Sequence, residues 1–125
     1  MNYPTVHVLT GPPGSGKTTY AKTRFPTLPV YDHDLRNKEG WRTAKGDCVL
    51  MTSAPSRSNK EYWSQEVFNE GKQPDLLVMW VPRMVAWQRM RQRSGLTPYE
   101  RNDLEKSVER WYKLYSPSPQ ETRIG

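Results

Sequence analysis

Apolar positions along this chain fall into short β-branched runs separated by polar stretches of helical spacing. Residues 5–9, Thr-Val-His-Val-Leu, read as a short strand that runs into a glycine-rich stretch. Residues 18–25 then continue as a helix that Pro26 stops. A second strand is predicted at 28–31, ending in Asp32-His33-Asp34, followed by a polar loop over 37–46 and a third strand at 48–52. Ser58-Asn59-Lys60-Glu61 has the spacing of a capping box and opens a helix to about Asn69, with Trp63 and Val67 on its inner face and Gly71 as its stop. Residues 76–81 are the most continuous apolar run, as expected of a parallel strand buried on both faces. A short helix is predicted from Pro82 or Arg83 to Arg93. Thr97-Pro98-Tyr99-Glu100 is a second capping box, and Leu104, Val108, Trp111 and Tyr115 follow it at i, i+4, i+7 and i+11.

Strands alternating with helices, with G-x-x-x-x-G-K-[ST] at 11–18 between the first strand and the first helix, predict an α/β fold of the P-loop NTPase kind. The expected architecture is three-layer α/β/α, a short parallel sheet of about four strands with right-handed crossovers and a C-terminal helix. At 125 residues the chain is expected to be a single domain over 1–125, with a proline-rich tail over 116–125 that leaves the fold or wraps over it. Ligands of such a sheet bind at the carboxyl ends of its strands, where the segments at 11–16, 32–36, 53–57 and 82–83 emerge.

The glycine-rich stretch points to a specific chemistry. Gly11-Pro12-Pro13-Gly14-Ser15-Gly16-Lys17-Thr18 fills G-x-x-x-x-G-K-[ST], the phosphate-cradling loop, in the strand, loop, helix order the motif needs. The glycines let the backbone curl so that successive N–H groups point into one concavity, where they and the helix N-terminus stabilise phosphate charge. Lys17 would reach the β- and γ-phosphates, and the Thr18 hydroxyl, with Thr19 beside it, would take one Mg²⁺ position. ATP and Mg²⁺ are the cofactors this implies.

A net charge of +6 and a sequence pI ≈ 9.6 suit a polyanionic partner, nucleotide or nucleic acid. Most of the five tryptophans are expected in the core, but Trp41, carried by a polar loop, is a candidate for stacking on an acceptor base. Cys48 stands alone, which excludes a disulfide framework or cysteine metal site, and it reads as a buried strand thiol. The apolar N-terminal run is too short and too little flanked by basic residues for a signal peptide, and no run approaches a membrane span. A cytoplasmic protein with no membrane partner is expected.

Tyr31-Asp32-His33-Asp34-Leu35-Arg36 places two carboxylates and a cation just beyond the second strand, facing the γ-phosphate if that strand is adjacent to the first. A phosphoryl acceptor would sit there. One carboxylate would take the proton of its hydroxyl, the other would hold Mg²⁺ through water, and Arg36 would offer a fork to an acceptor phosphate. His33 reads as a bystander, because side chains alternate in an extended segment. Further on, Arg89 and Arg93 are four apart on one helix face, whereas Arg91 points elsewhere. Held over the nucleotide by Ser94-Gly95, that pair would neutralise charge on the transferred phosphoryl group.

GPPGSGKTTYAK, DHDLR, VLMTSAPSRSNKEYWSQ, VMWVPRMVAWQRMRQR and TPYERNDLEKSVERWYKLYSPSP together resemble the kinase domain of bacteriophage-type 5′-polynucleotide kinases and their small P-loop nucleotide kinase relatives. The resemblance covers nearly the whole chain in order. It implies Asp34 as general base for a 5′-hydroxyl, Arg36 as acceptor-phosphate ligand, Arg89 and Arg93 as lid pair, and Lys17 and Thr18 in their motif roles, in a virus-encoded enzyme of the host cytoplasm. Two departures bear on these roles. The family spaces its aspartate three residues before the arginine, a slot that His33 fills here, so the base is either Asp34 or Asp32. Thr52-Ser53-Ala54-Pro55 stands where the family often has an acid after its third strand, which leaves Mg²⁺ to Thr18, Asp32 and water. The resemblance also implies a fifth strand that would begin only where the sequence ends.

The function expected is an ATP-dependent kinase that moves the γ-phosphoryl group to a nucleic-acid 5′-hydroxyl or to a nucleoside or nucleotide acceptor. The alternatives are a small-molecule kinase of the shikimate or gluconate kind, and a nucleotide- or nucleic-acid-binding P-loop module without productive transfer.

Overall fold

In the computed structural model, residues 3–33 and 39–124 are described. In chain order they form β1 (Thr5–Thr10), α1 (Lys17–Arg24), β2 (Val30–Asp32), a single 3-10 turn at Gly40–Arg42, β3 (Cys48–Thr52), α2 (Arg57–Asn69), β4 (Gln73–Met79), α3 (Arg83–Arg91), α4 (Pro98–Leu114) and β5 (Thr122–Ile124). The five strands make one parallel sheet in the order β2-β3-β1-β4-β5.

Alternation along β1 builds the layers. Val6 and Val8 pack with Trp41, Trp63 and Val67 on the α2 face, while Leu9 packs with Ala21 of α1, Met51 and Leu77 on the other. A third cluster, Val81, Ala86, Met90 and Val108, ties α3 to α4 beyond the end of β4. Cys48 is buried in the strand interior, and burial raises its thiol pKa, as expected of an inert core thiol.

Four expectations need correction. The sheet has five strands rather than about four, because the proline-rich tail returns to the sheet and its end pairs with β4, Thr122 opposite Leu77. An interior ion pair fastens that tail: Lys60 Nζ donates to Glu121 Oε1 at 2.6 Å and to the Ser116 carbonyl at 2.6 Å, with the Lys60 side chain fully buried. The N-cap of α2 is Ser56, not Ser58; its hydroxyl accepts from the Asn59 N–H at 3.2 Å, so the helix starts two residues earlier. β2 lies beside β3, not beside β1, so Asp32 sits one strand away from the phosphate loop's own strand and the adjacency on which the γ-phosphate-facing placement depended is not met. Finally, α3 stops at Arg91, with Gln92 as its C-cap. The α4 start agrees with the sequence: Thr97 caps the helix, accepting from the Glu100 N–H at 3.1 Å, with Pro98 in the first turn.

Candidate phosphate loop and acceptor cleft

The loop between β1 and α1 has the backbone that the glycines permit. Gly14 and Gly16 take φ of 79° and 93°, in the left-handed region where a Cβ is strained. A Cβ at Gly14 would also collide with the Ala86 carbonyl oxygen of α3, so the loop turns directly beneath that helix. Lys17 Nζ donates to the Gly11 carbonyl at 2.8 Å and to the Thr52 carbonyl at 3.2 Å, bridging the carboxyl ends of β1 and β3. Arg89 Nη1 donates from α3 to the Ser15 carbonyl at 3.3 Å. Ser15 is buried, and its hydroxyl has no partner among the described residues. Thr18 and Thr19 stand exposed in the first turn of α1, whose last turn carries Lys22 and Arg24, the charge distribution the helix dipole favours.

These residues fit a triphosphate. The positive-φ glycines, a helix N-terminus without acidic residues in its first turn, a lysine and an exposed threonine are the donor set that phosphate needs. Among the described residues no three His, Cys, Asp or Glu side chains cluster to hold a metal. A Mg²⁺ ion bound with nucleotide needs no such cluster, since it is held by one or two protein oxygens together with phosphate and water.

Beside the loop opens a cleft of about 560 Å³, at the carboxyl ends of β2 and β3 and under α4. Lys17, His33, Asn59, Trp63, Arg110 and Trp111 contribute to its walls. Among the described residues that line it there are two cations, Lys17 and Arg110, and no carboxylate, a field that favours an anionic ligand. Trp111 is buried and its indole N–H has no partner among the described residues; the same holds for Nδ1 of His33, whose ring stands edge-on to Trp63 with centroids 4.8 Å apart. The cleft thus carries apolar walls and a few polar groups left for a ligand.

Gly11, Pro12, Pro13, Gly14, Ser15, Gly16, Lys17 and Thr18 form the loop, and Arg89 reaches it. Asp32 ends β2 opposite Met51, and the next residue, His33, lines the cleft. Asp34 and Arg36 lie outside the described residues. Arg93 stands past the C-cap of α3, exposed, and accepts at its carbonyl from Arg101 Nη2 at 3.5 Å, so it does not share a helix face with Arg89. Trp41 is corrected outright. It is fully buried, edge-on to Trp63 at 6.5 Å, with the Arg42 guanidinium 4.6 Å over its ring, and Lys72 Nζ donates to its carbonyl at 2.6 Å. In this fold it cannot stack on a base.

Sequence reasoning missed Asn59, Trp63, Arg110 and Trp111 as cleft residues and set His33 aside. The signal for Trp111 was present in its helical spacing, but that spacing marks core and cleft wall alike; Arg110 carried no signal beyond its charge.

No protein-family model matches the sequence, and no curated protein matches it significantly. Solved structures do resemble it in fold. A gluconokinase from Sinorhizobium meliloti 1021 superposes with a TM-score of 0.67 at 14% identity, over 99% of this chain and 83% of that one. A sugar kinase from Janibacter sp. HTCC2649 gives 0.62 at 20% identity, over 98% and 84%. A shikimate kinase from Bacteroides thetaiotaomicron gives 0.56 at 19% identity, over 96% and 85%. The chain therefore has the parallel α/β fold that P-loop kinases share. Among the described residues no helix is long and apolar enough to cross a membrane.

Proposed function

We propose that this protein is an ATP-dependent P-loop kinase that transfers the γ-phosphoryl group to a hydroxyl of a nucleic-acid 5′ end or of a nucleoside or nucleotide. One observation carries the reading: Lys17 belongs at once to the phosphate loop and to the wall of an acceptor-sized cleft, so a transferred group held by its ammonium lies between the two.

Each residue then has a task. Loop N–H groups and the α1 N-terminus hold the phosphates, and Lys17 exchanges its two carbonyl partners for phosphate oxygens. Bound Mg²⁺ would neutralise charge on the β- and γ-phosphates, with Thr18 and Asp32 as its protein oxygens. Arg89, already at the loop, stabilises charge that develops in transfer, and Arg93 would join it only if the segment after α3 moves. Asp34 takes the acceptor proton, with Asp32 the other assignment, and Arg36 holds an acceptor phosphate. The cationic lining of the cleft supports an anionic acceptor.

A second reading, a small-molecule kinase, is favoured by the fold likeness to a gluconokinase, a sugar kinase and a shikimate kinase. Transfer from γ-labelled ATP to a panel of 5′-hydroxyl oligonucleotides, nucleosides, nucleoside monophosphates and sugars separates the two. Label on the nucleic-acid or nucleoside acceptors supports the first reading, and label on sugars alone replaces it with the second.

A further inference from the structure

We propose that the groove between α3 and α4 is a second binding surface, a phosphate track for a single-stranded nucleic acid whose 5′ end occupies the acceptor cleft. This rests on the kinase reading above and gives its acceptor a length and a path. The groove encloses about 970 Å³ and is lined by Arg83, Trp87, Lys106, Tyr112 and Lys113. Arg110 and Leu114 line both this groove and the acceptor cleft, so the two concavities meet across α4.

Spacing and charge point to the occupant. Lys106, Arg110 and Lys113 fall at i, i+4 and i+7, one face of α4, and span about 10 Å along the helix. The acids of the groove are already engaged: Glu109 Oε2 lies 2.8 Å from Arg83 Nη1, and Glu105 Oε1 lies 3.9 Å from Arg91 Nε. Among the described residues Lys106, Arg110 and Lys113 form no ion pair. A stripe of unpaired cations that leads out of a cleft lined by Lys17 and Arg110 matches consecutive phosphates of one strand, and a single small anion would leave most of it unused. Half-buried Trp87, with the Arg91 guanidinium 4.5 Å over its ring, and Tyr112 add the aromatic flank that single-strand binding surfaces use.

The test is fluorescence anisotropy with a 3′-labelled, 5′-hydroxyl twelve-residue oligothymidylate, titrated over a range of salt against wild-type protein and a Lys106→Ala/Lys113→Ala variant. Both lysines are exposed and lie outside the acceptor cleft. Removing two phosphate contacts should flatten the slope of log K against log salt by about 1.4 and weaken binding on the order of tenfold near 0.1 M salt. Thymidine 3′-phosphate, short enough to stay in the cleft, should bind both proteins equally. Unchanged slope and affinity in the variant would overturn the proposal, as would an oligonucleotide that binds no tighter than thymidine 3′-phosphate. Equal displacement by polyglutamate of matched charge would replace the nucleic acid with an acidic protein partner. Salt-sensitive binding that depends on these lysines, without phosphoryl transfer, would refute the kinase reading and leave the groove standing; transfer indifferent to acceptor length would do the reverse.

Discussion

Single atoms decide much at the phosphate loop. At Gly14 a methyl group faces both a positive φ and the Ala86 carbonyl of the helix above. Gly14→Ala should therefore cost about 1–3 kcal/mol in thermal or urea unfolding and abolish nucleotide binding, because relief of the clash moves either the loop or α3. A glycine that served only a surface turn would show neither effect. Trp41 makes the opposite case. Trp41→Ala should destabilise the fold by about 3–5 kcal/mol, as large core deletions do, while Trp41→Phe should leave the KM for acceptor unchanged. An acceptor KM that rises sharply in Trp41→Phe at unchanged stability would restore the stacking role. The motif residues were legible from sequence because chemistry restricts their spacing so tightly. Trp41 was not, because a tryptophan in a polar stretch reads as exposed until Lys72, 31 positions on, is seen to anchor its carbonyl from the interior.

Between elements, the contact of α3 with the phosphate loop is what would turn a nucleotide site into a catalytic one. Arg89 touches the loop, Arg91 lies over Trp87, and Arg93 lies beyond the helix. Steady-state kinetics should show kcat and kcat/KM falling together by 10²-fold or more in Arg89→Ala, whereas Arg91→Ala stays mild. Arg89→Lys should rescue only in part, since an ammonium lacks the planar fork. Equal small effects at 89 and 91 would reduce the segment to a solvated face. The helix caps of α4 were legible because Thr97, Pro98 and Glu100 act locally. The end of α3 was not, since no glycine or proline follows Arg91 directly and its neighbours keep helical composition through Arg93.

The tail that becomes β5 shows why long-range pairing escapes a linear reading. Burial pushes the Glu121 carboxyl up, but hydrogen bonds from Lys60, the Ser118 N–H and the Tyr115 hydroxyl outweigh it and hold the group below its ordinary value of 4.5. In the same cluster burial and the bond to Glu121 push Tyr115 up to about 12. A depressed carboxylate contributes stability above its unfolded pKa and loses it as pH falls through the lower folded value. The melting temperature should thus drop on acidification below about pH 4.5, and Glu121→Gln should flatten that limb. At neutral pH the same variant should cost about 3 kcal/mol, because it leaves Lys60 charged and buried. An unchanged acid limb in Glu121→Gln would show that other groups govern it. Nothing near Pro117 or Pro119 in sequence announces a strand, and the pairing depends on a lysine some 60 residues earlier.

For the whole molecule, alternating strands and helices made the parallel α/β class readable, and the strand order did not follow, because which crossover carries β2 past β3 depends on how the faces pack. That order sets the site's geometry: β1 and β3 deliver Gly11 and Thr52 to Lys17, and β2 ends at Asp32 one strand further out, beside β3. The central claim is that this arrangement performs phosphoryl transfer and not nucleotide binding alone. The most direct measurement is acceptor-dependent formation of ADP from ATP and Mg²⁺ by the wild-type chain and by Lys17→Ala, with a 5′-hydroxyl oligonucleotide as acceptor. The wild type should form ADP and 5′-phosphorylated product in equal amounts, and the variant should lose several orders of magnitude in rate, as expected when a group that holds the transferring phosphate is removed. ATP bound normally with no acceptor-dependent ADP across the whole acceptor panel, or equal turnover by Lys17→Ala, would contradict the central claim.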